Sequence, residues 1–250
     1  MNRKLLIIIL FCIASCGLFA QSGTLKGKVT EKKTAKPPPK YFPIIELFSI
    51  GPEFIKGDIA NTLGTGVRFS FAGLYIGSYK HPNFYLGFSF ADWGKHVFNP
   101  TAAERKIMDS YMVEITKTNN LGVKTTKKEP LEKISLSRMS MSIPFGYQTI
   151  NPDKKLSFFA QLVPTIYNFT SKLNKVEAKD KGDVAFGASF KAGLDYQIDD
   201  EWFLRLYYMI GTLPDIDLFF MNGVRPISGK GTFSTIQIGV GLRILDKSRL

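Results

Sequence analysis

The chain carries only two cysteines in 250 residues, Cys12 and Cys16, and both lie in the first sixteen positions. A disulfide framework for the body of the protein is therefore excluded, even though an exported protein could use one. Histidine is equally scarce, with His81 and His96 alone. A multi-histidine metal site is excluded and a structural zinc site has no thiolates to draw on, so no metal and no cofactor are expected. No phosphate-cradling glycine loop joins a strand to a helix. Nowhere does an apolar run reach eighteen residues, and a spanning helix needs about 20. Mean hydropathy is −0.01, a value that a globular domain and a membrane barrel of alternating strands share.

The N-terminus reads as an export signal. Arg3 and Lys4 precede an apolar stretch from Leu5 to Ala14, and small residues lead to Ala20, which together make the charged, apolar and cleavage regions of a signal peptide over 1–20. Ile13, Ala14, Ser15 and Cys16 also resemble a lipobox, with Cys16 as the lipidated residue. The formal charge of +12 suggests nucleic acid in isolation, but export argues against that partner. Residues 21–41 follow as a basic, proline-containing linker, with six lysines, one glutamate and three consecutive prolines between 22 and 40.

From residue 42 to 245 the chain becomes a series of period-2 segments, and an all-β body is expected there, followed by a short tail over 246–250. In 183–198, Val184, Phe186, Ala188, Phe190, Ala192, Leu194, Tyr196 and Ile198 fall on one face. The other face carries Ser189, Lys191, Asp195 and Gln197 among glycines and alanines. Segments 202–210 and 236–244 repeat the pattern, as do those around 67–72, 84–91 and 138–147, while 155–169 is apolar on both faces and 42–50 is weak. Breaks alternate in length. Those at 80–83, 150–155 and 199–201 are short, and those near 51–65, 99–131, 171–182 and 214–231 are long. Eight strands with that parity predict an antiparallel up-and-down transmembrane β-barrel, short turns in the periplasm and long loops outside, as in bacterial outer membranes. A soluble lipocalin-like barrel is the competing architecture.

The stretches SFKAGLDYQI, RLYYMIGTLPDI and IQIGVGLRIL carry a G-x-x-Y strand, an aromatic strand end and a terminal G-x-R strand. In these the region 130–245 resembles the PorT-like outer-membrane β-barrel family. The resemblance implies a small outer-membrane barrel and raises a part in secretion, with an envelope or secretion-machinery protein as partner. One departure is that the chain ends on Leu250 and not on an aromatic residue.

Charged and polar residues assigned to the inner faces, Arg68, Arg138, Lys191, Asp195, Gln197, Arg205, Gln237 and Arg243, predict a packed network without an open pore, since an eight-stranded barrel is just wide enough for side chains. Asp195 is the expected partner of Arg205 or Lys191, and an anion-selecting constriction is the alternative. Tyr79, Phe84, Tyr85, Tyr196 and Trp202 sit near expected interfaces and read as an aromatic girdle. His96 with Asp109 and Ser110 is a second constellation, the rim site of a lipid-modifying enzyme, set against a polar loop with an incidental histidine. Non-enzymatic function is the leading expectation, with outer-membrane lipid and lipopolysaccharide as partners. The middle of loop 99–131, IMDSYMVEITKT, is expected to form a protruding β-hairpin.

Overall fold

A computed structural model describes residues 41–118, 124–150, 154–174, 176–177 and 183–246. The expected signal peptide, the lipobox, all of the linker but Tyr41, and 247–250 of the tail lie outside the described residues.

The described residues form an all-β antiparallel up-and-down sheet with one short α-helix. Its strands are β1 (Tyr41–Gly57), β2 (Gly66–Ser78), β3 (Phe84–Val97), β4 (Met112–Thr118), β5 (Lys124–Pro130), β6 (Ile134–Ser142), β7 (Phe145–Gln148), β8 (Leu156–Leu173), β9 (Val176–Glu177), β10 (Asp183–Gln197), β11 (Trp202–Met221) and β12 (Val224–Arg243). Helix α1 spans Ala102–Ser110. Twelve strand segments thus replace the eight expected, and β1 begins one residue earlier, at Tyr41. The surplus has local causes. Pro144 has no N–H to donate and separates β6 from β7. The expected loops contribute β4, β5 and β9.

Pairing runs β10, β11, β12, β1, β2, β3, then β6 and β7, then β8, and β8 pairs in turn with β10. The hydrogen-bonded circuit therefore returns to its start. β6 and β7 both lie between β3 and β8, so they share one position in it.

Strand extends into three of the expected loops. β1 runs on to Gly57 and a 3-10 turn at Asp58–Asn61, and β8 continues to Leu173. β11 and β12 each span 20 residues and meet at a turn through Gly223, whose φ of 81° suits glycine. Alternation is lost in 214–231 because the pairing slips between Leu213 and Ile216 and again between Asp217 and Phe219. A bulge shifts the side-chain parity without ending the strand.

In the region 99–131, Ile107–Ser110 belong to α1, so only Met112–Thr118 and Lys124–Pro130 make the expected hairpin. Thr101 and Glu104 form a reciprocal capping box that starts the helix, the T-x-x-E signature of a helix N-terminus.

Burial is inverted relative to a soluble protein. Phe186 is 76% exposed, Ile238 57% and Leu206 49%, whereas Arg205 is 1% and Gln237 0% exposed. On β11 the exposed row is Trp202, Leu204, Leu206, Tyr208 and Ile210, nine residues of strand, which is the span that a tilted strand of about 9 to 11 residues takes across hydrocarbon. On the doubly apolar β8, Leu156, Phe158, Leu162 and Ile166 face out, while Phe159, Val163, Tyr167 and Phe169 are buried.

Candidate functional site

The interior holds the chemistry. Four carboxylates, Glu46, Glu53, Asp92 and Asp195, and five bases, Arg68, Arg138, Lys191, Arg205 and Arg243, are buried there with His96. They form two centres. In one, Glu53 Oε2 accepts from Arg138 at 2.5 Å and from Arg68 at 3.1 Å, and its Oε1 meets His96 Nε2 at 2.8 Å. Asp92 completes it by taking Arg68 through both guanidinium nitrogens Nε and Nη2. The Phe233 ring lies 4.7 Å from the Arg68 guanidinium and 4.5 Å from that of Arg138, giving both cations an aromatic face.

In the second centre, Glu46 Oε2 accepts from Lys191 Nζ at 2.7 Å and from Arg205 at 3.0 Å. Asp195 accepts a bidentate pair from Arg205 at 2.7 and 2.8 Å, a bond from Arg243 at 3.1 Å and one from Gln148 at 2.6 Å. Ser49 joins this centre to the polar residues beyond it. It donates to Glu46 at 2.9 Å and lies within 2.9 Å of both Gln237 and Tyr207. Such pairing is what burial demands, because an uncompensated ion in a low-dielectric interior costs several kcal/mol.

Both ends of the interior are apolar. Phe42, Ile44, Tyr75, Tyr85 and Phe203 cluster toward the short turns, with Tyr79, Ile150 and Leu245 against them. Ile59, Leu63, Phe98, Met108, Leu131, Val224 and Ile227 belong to the larger cluster under the loops. Between the centres, a cavity beside Glu46, Asp92 and Lys191 has a volume of about 20 Å³, room for a single water.

Arg225 fastens the loop end. Its guanidinium donates to Glu104 at 2.8 and 2.9 Å, to the Asn61 carbonyl at 2.5 Å and to the Asn99 carbonyl at 2.9 Å. The Thr101 N–H also donates to Glu104, at 2.7 Å. The Arg225 hydrogen bonds, more than offsetting burial, hold the Glu104 carboxyl down to about 2.

Of the residues expected inside, Arg68, Arg138, Lys191, Asp195, Arg205, Gln237 and Arg243 are buried together. Gln197 is half-buried at the end of β10, where its N–H donates to the Lys155 carbonyl. Asp195 takes Arg205, its direct cross-strand partner, whereas Lys191 reaches across the interior to Glu46. Sequence reasoning missed Glu46, Glu53 and Asp92. Pairing skips Leu47 opposite Ala72, and Ala72 in turn opposite Phe90, so alternation changes face on β1, β2 and β3 at neighbouring points. Ala72, expected inside, is exposed, and Asp92, past the slip, turns inward.

Among the expected girdle residues, Phe84, Tyr196 and Trp202 are exposed near the short turns. Tyr85 is not: it points inward, and its hydroxyl accepts from Gln161 at 2.6 Å. Tyr79 is half-buried and stacks edge-on against Phe42 at 5.3 Å. Tyr41 and Tyr147 are exposed at the same end.

The constellation of His96, Asp109 and Ser110 is not assembled. Both ring nitrogens of His96 are occupied, by Glu53 and by the Gly64 carbonyl at 3.0 Å. Ser110 donates to the Ile107 carbonyl at 2.7 Å, and it and Asp109 are exposed at the end of α1.

No family model and no curated protein matches the chain. Among solved structures, Neisserial surface protein A matches at a TM-score of 0.42 and 9% identity, over 82% of this chain and 98% of that one. Pseudomonas aeruginosa OprG matches at 0.41 and 11%, over 83% and 97%. Ail, the attachment invasion locus protein of Yersinia pestis, matches at 0.38 and 12%, over 81% and 99%.

Proposed function

We propose that this chain is a bacterial outer-membrane protein whose sheet is an eight-position transmembrane β-barrel with a sealed interior, serving as a structural, adhesion or assembly and secretion partner of the envelope. The observation that carries the reading is the inverted burial: exposed Phe186, Leu206 and Ile238 alternate along their strands with interior Lys191, Arg205 and Gln237. Water makes that arrangement unfavourable, at roughly 25 cal/mol for each Å² of exposed apolar surface. Hydrocarbon makes it favourable, because a closed circuit leaves no strand edge unpaired in lipid. A lipocalin-like alternative would place the apolar rows inside.

Short turns then face the periplasm and α1 with the β4–β5 hairpin faces outward. Among the described residues that hairpin pairs with no strand of the main sheet, and it carries Glu114, Lys127 and Lys128 exposed and Glu129 half-buried. It is the surface best suited to lipopolysaccharide or an envelope protein. No catalytic role follows from the interior, whose charged groups are spent on one another.

Heat-modifiable migration in detergent gels of the membrane fraction tests the reading. The expected result is a band that moves on boiling. A band unchanged by heat, or recovery of the mature protein in the aqueous phase without detergent, would overturn it.

A further inference from the structure

Two grooves score the outer wall beside the short-turn end, and they share the residues Phe84 and Tyr85. The first, about 600 Å³, runs between β2 and β3 and is walled by Leu74, Ile76, Leu86 and Phe88. The second, about 290 Å³, crosses β7 and β8 toward β10 and is walled by Phe145, Leu162 and Phe190, with Ala160 leaving its floor open. Phe84, stacked edge-on against Tyr147 at 5.3 Å, stands as the ridge between them.

Above this ridge two turns are tied together. The Asn83 carbonyl accepts from the Gln148 N–H at 2.7 Å, its side-chain oxygen from the Ile150 N–H at 3.3 Å, and its amide donates to the Tyr147 hydroxyl at 3.2 Å. Lys80 and His81 on one turn, and Lys154 and Lys155 beyond the other, are exposed. The neighbouring turn between β10 and β11 is acidic, with Asp199, Asp200 and Glu201 exposed. Among the described residues, the two turns beside the grooves therefore carry exposed lysines, whereas the neighbouring turn is acidic.

We infer that the paired grooves and the lysines above them form a site for one anionic diacyl phospholipid of the periplasmic leaflet, its two chains straddling Phe84 and its phosphate held by Lys80, Lys154 and Lys155. This rests on the membrane reading above. Each lysine near a lipid surface strengthens attraction to an anionic headgroup, and each buried methylene adds to chain retention. A zwitterionic lipid fills the grooves equally well but gains less from the lysines.

The test is native mass spectrometry of the full mature chain in mild detergent, titrated with palmitoyl-oleoyl phosphatidylglycerol or the matching phosphatidylcholine. Each sample is also checked for heat-modifiable migration. The expected result is one retained phosphatidylglycerol, preferred over phosphatidylcholine by ~10-fold. Lys80→Glu with Lys154→Glu and Lys155→Glu removes the preference. Leu86→Trp with Leu162→Trp fills the grooves and abolishes retention of both lipids, whereas Ile238→Trp on another part of the wall changes neither. Heat-modifiable samples with equal retention of the two lipids, or with retention unaffected by the groove variants, overturn the lipid site and leave the barrel standing. A dimer that the groove variants dissolve while no lipid is retained assigns the surface to a second copy and likewise overturns it. Samples that do not shift on heating overturn both.

Discussion

Glu46 and Glu53 lie seven residues apart on β1, yet both point into the interior, because the pairing of β1 slips at Leu47. In unbroken alternation an odd separation places two side chains on opposite faces. The slip gives each centre of buried cations its own carboxylate, one for Lys191 and Arg205, the other for Arg68, Arg138 and His96.

Glu53→Gln should therefore destabilise the protein severely, by roughly 3–5 kcal/mol, since it leaves buried cations uncompensated. Urea titration of the protein folded in lipid vesicles, followed by the heat-sensitive band, measures this. A loss below ~1 kcal/mol would mean that the cations hydrate instead.

Deleting Leu47 should be worse than truncating it. Deletion restores strict alternation and drives one of the two glutamates to the outer face, so folding into vesicles is expected to fail. Leu47→Ala removes only part of an exposed side chain and should fold. Comparable folding yields for the two variants would show that the slip is dispensable.

The loop end should loosen in acid. Glu104 is held at about 2 against an ordinary 4.5, chiefly by Arg225. A carboxyl lowered on folding contributes stability that is full above its unfolded value and is lost as pH falls through its folded one. Helix α1 is thus expected to stay docked at pH 5 and to release near pH 2. Hydrogen bonds to a charged group contribute about 1.5–3 kcal/mol, with the lower figure expected because the Arg225 side chain is 38% exposed. Pepsin cleavage within 102–118, taken as the ratio of wild type to Glu104→Gln, should rise toward one as pH approaches 2. A ratio constant with pH would remove Glu104 as the fastener.

Planar bilayers containing the protein should carry no steady current, because apolar clusters close both ends of an interior filled by paired ions. Large anion-selective conductance would instead support the basic constriction. Phe203→Ala with Phe42→Ala, which opens the short-turn cluster, should still leave the Glu53 centre in place and the current near zero.

Much of the architecture is legible in the residues. The rows on β10, β11 and β12 alternate without interruption through the apolar belt, so Lys191, Asp195, Arg205, Gln237 and Arg243 can be assigned to the interior by parity alone. Parity fails where a bulge intervenes. It mislays Asp92 and Ala72, and it hides Glu53 in what reads as a loop. The helix at Ala102–Ser110 has its signature in the capping box of Thr101 and Glu104, which a period-2 reading of the apolar residues beyond it does not detect.

The sequence by itself determined which face of each regular strand meets apolar surroundings, because a side-chain period of two is a property of the extended backbone and needs no partner. It also determined where the short turns fall, from proline, asparagine and charge. Only the tertiary structure decided which carboxylate answers which base. Lys191 and Glu46 are 145 positions apart, and what brings them within 2.7 Å is closure of the strand circuit together with a one-residue slip, neither of which leaves a periodic trace in the chain.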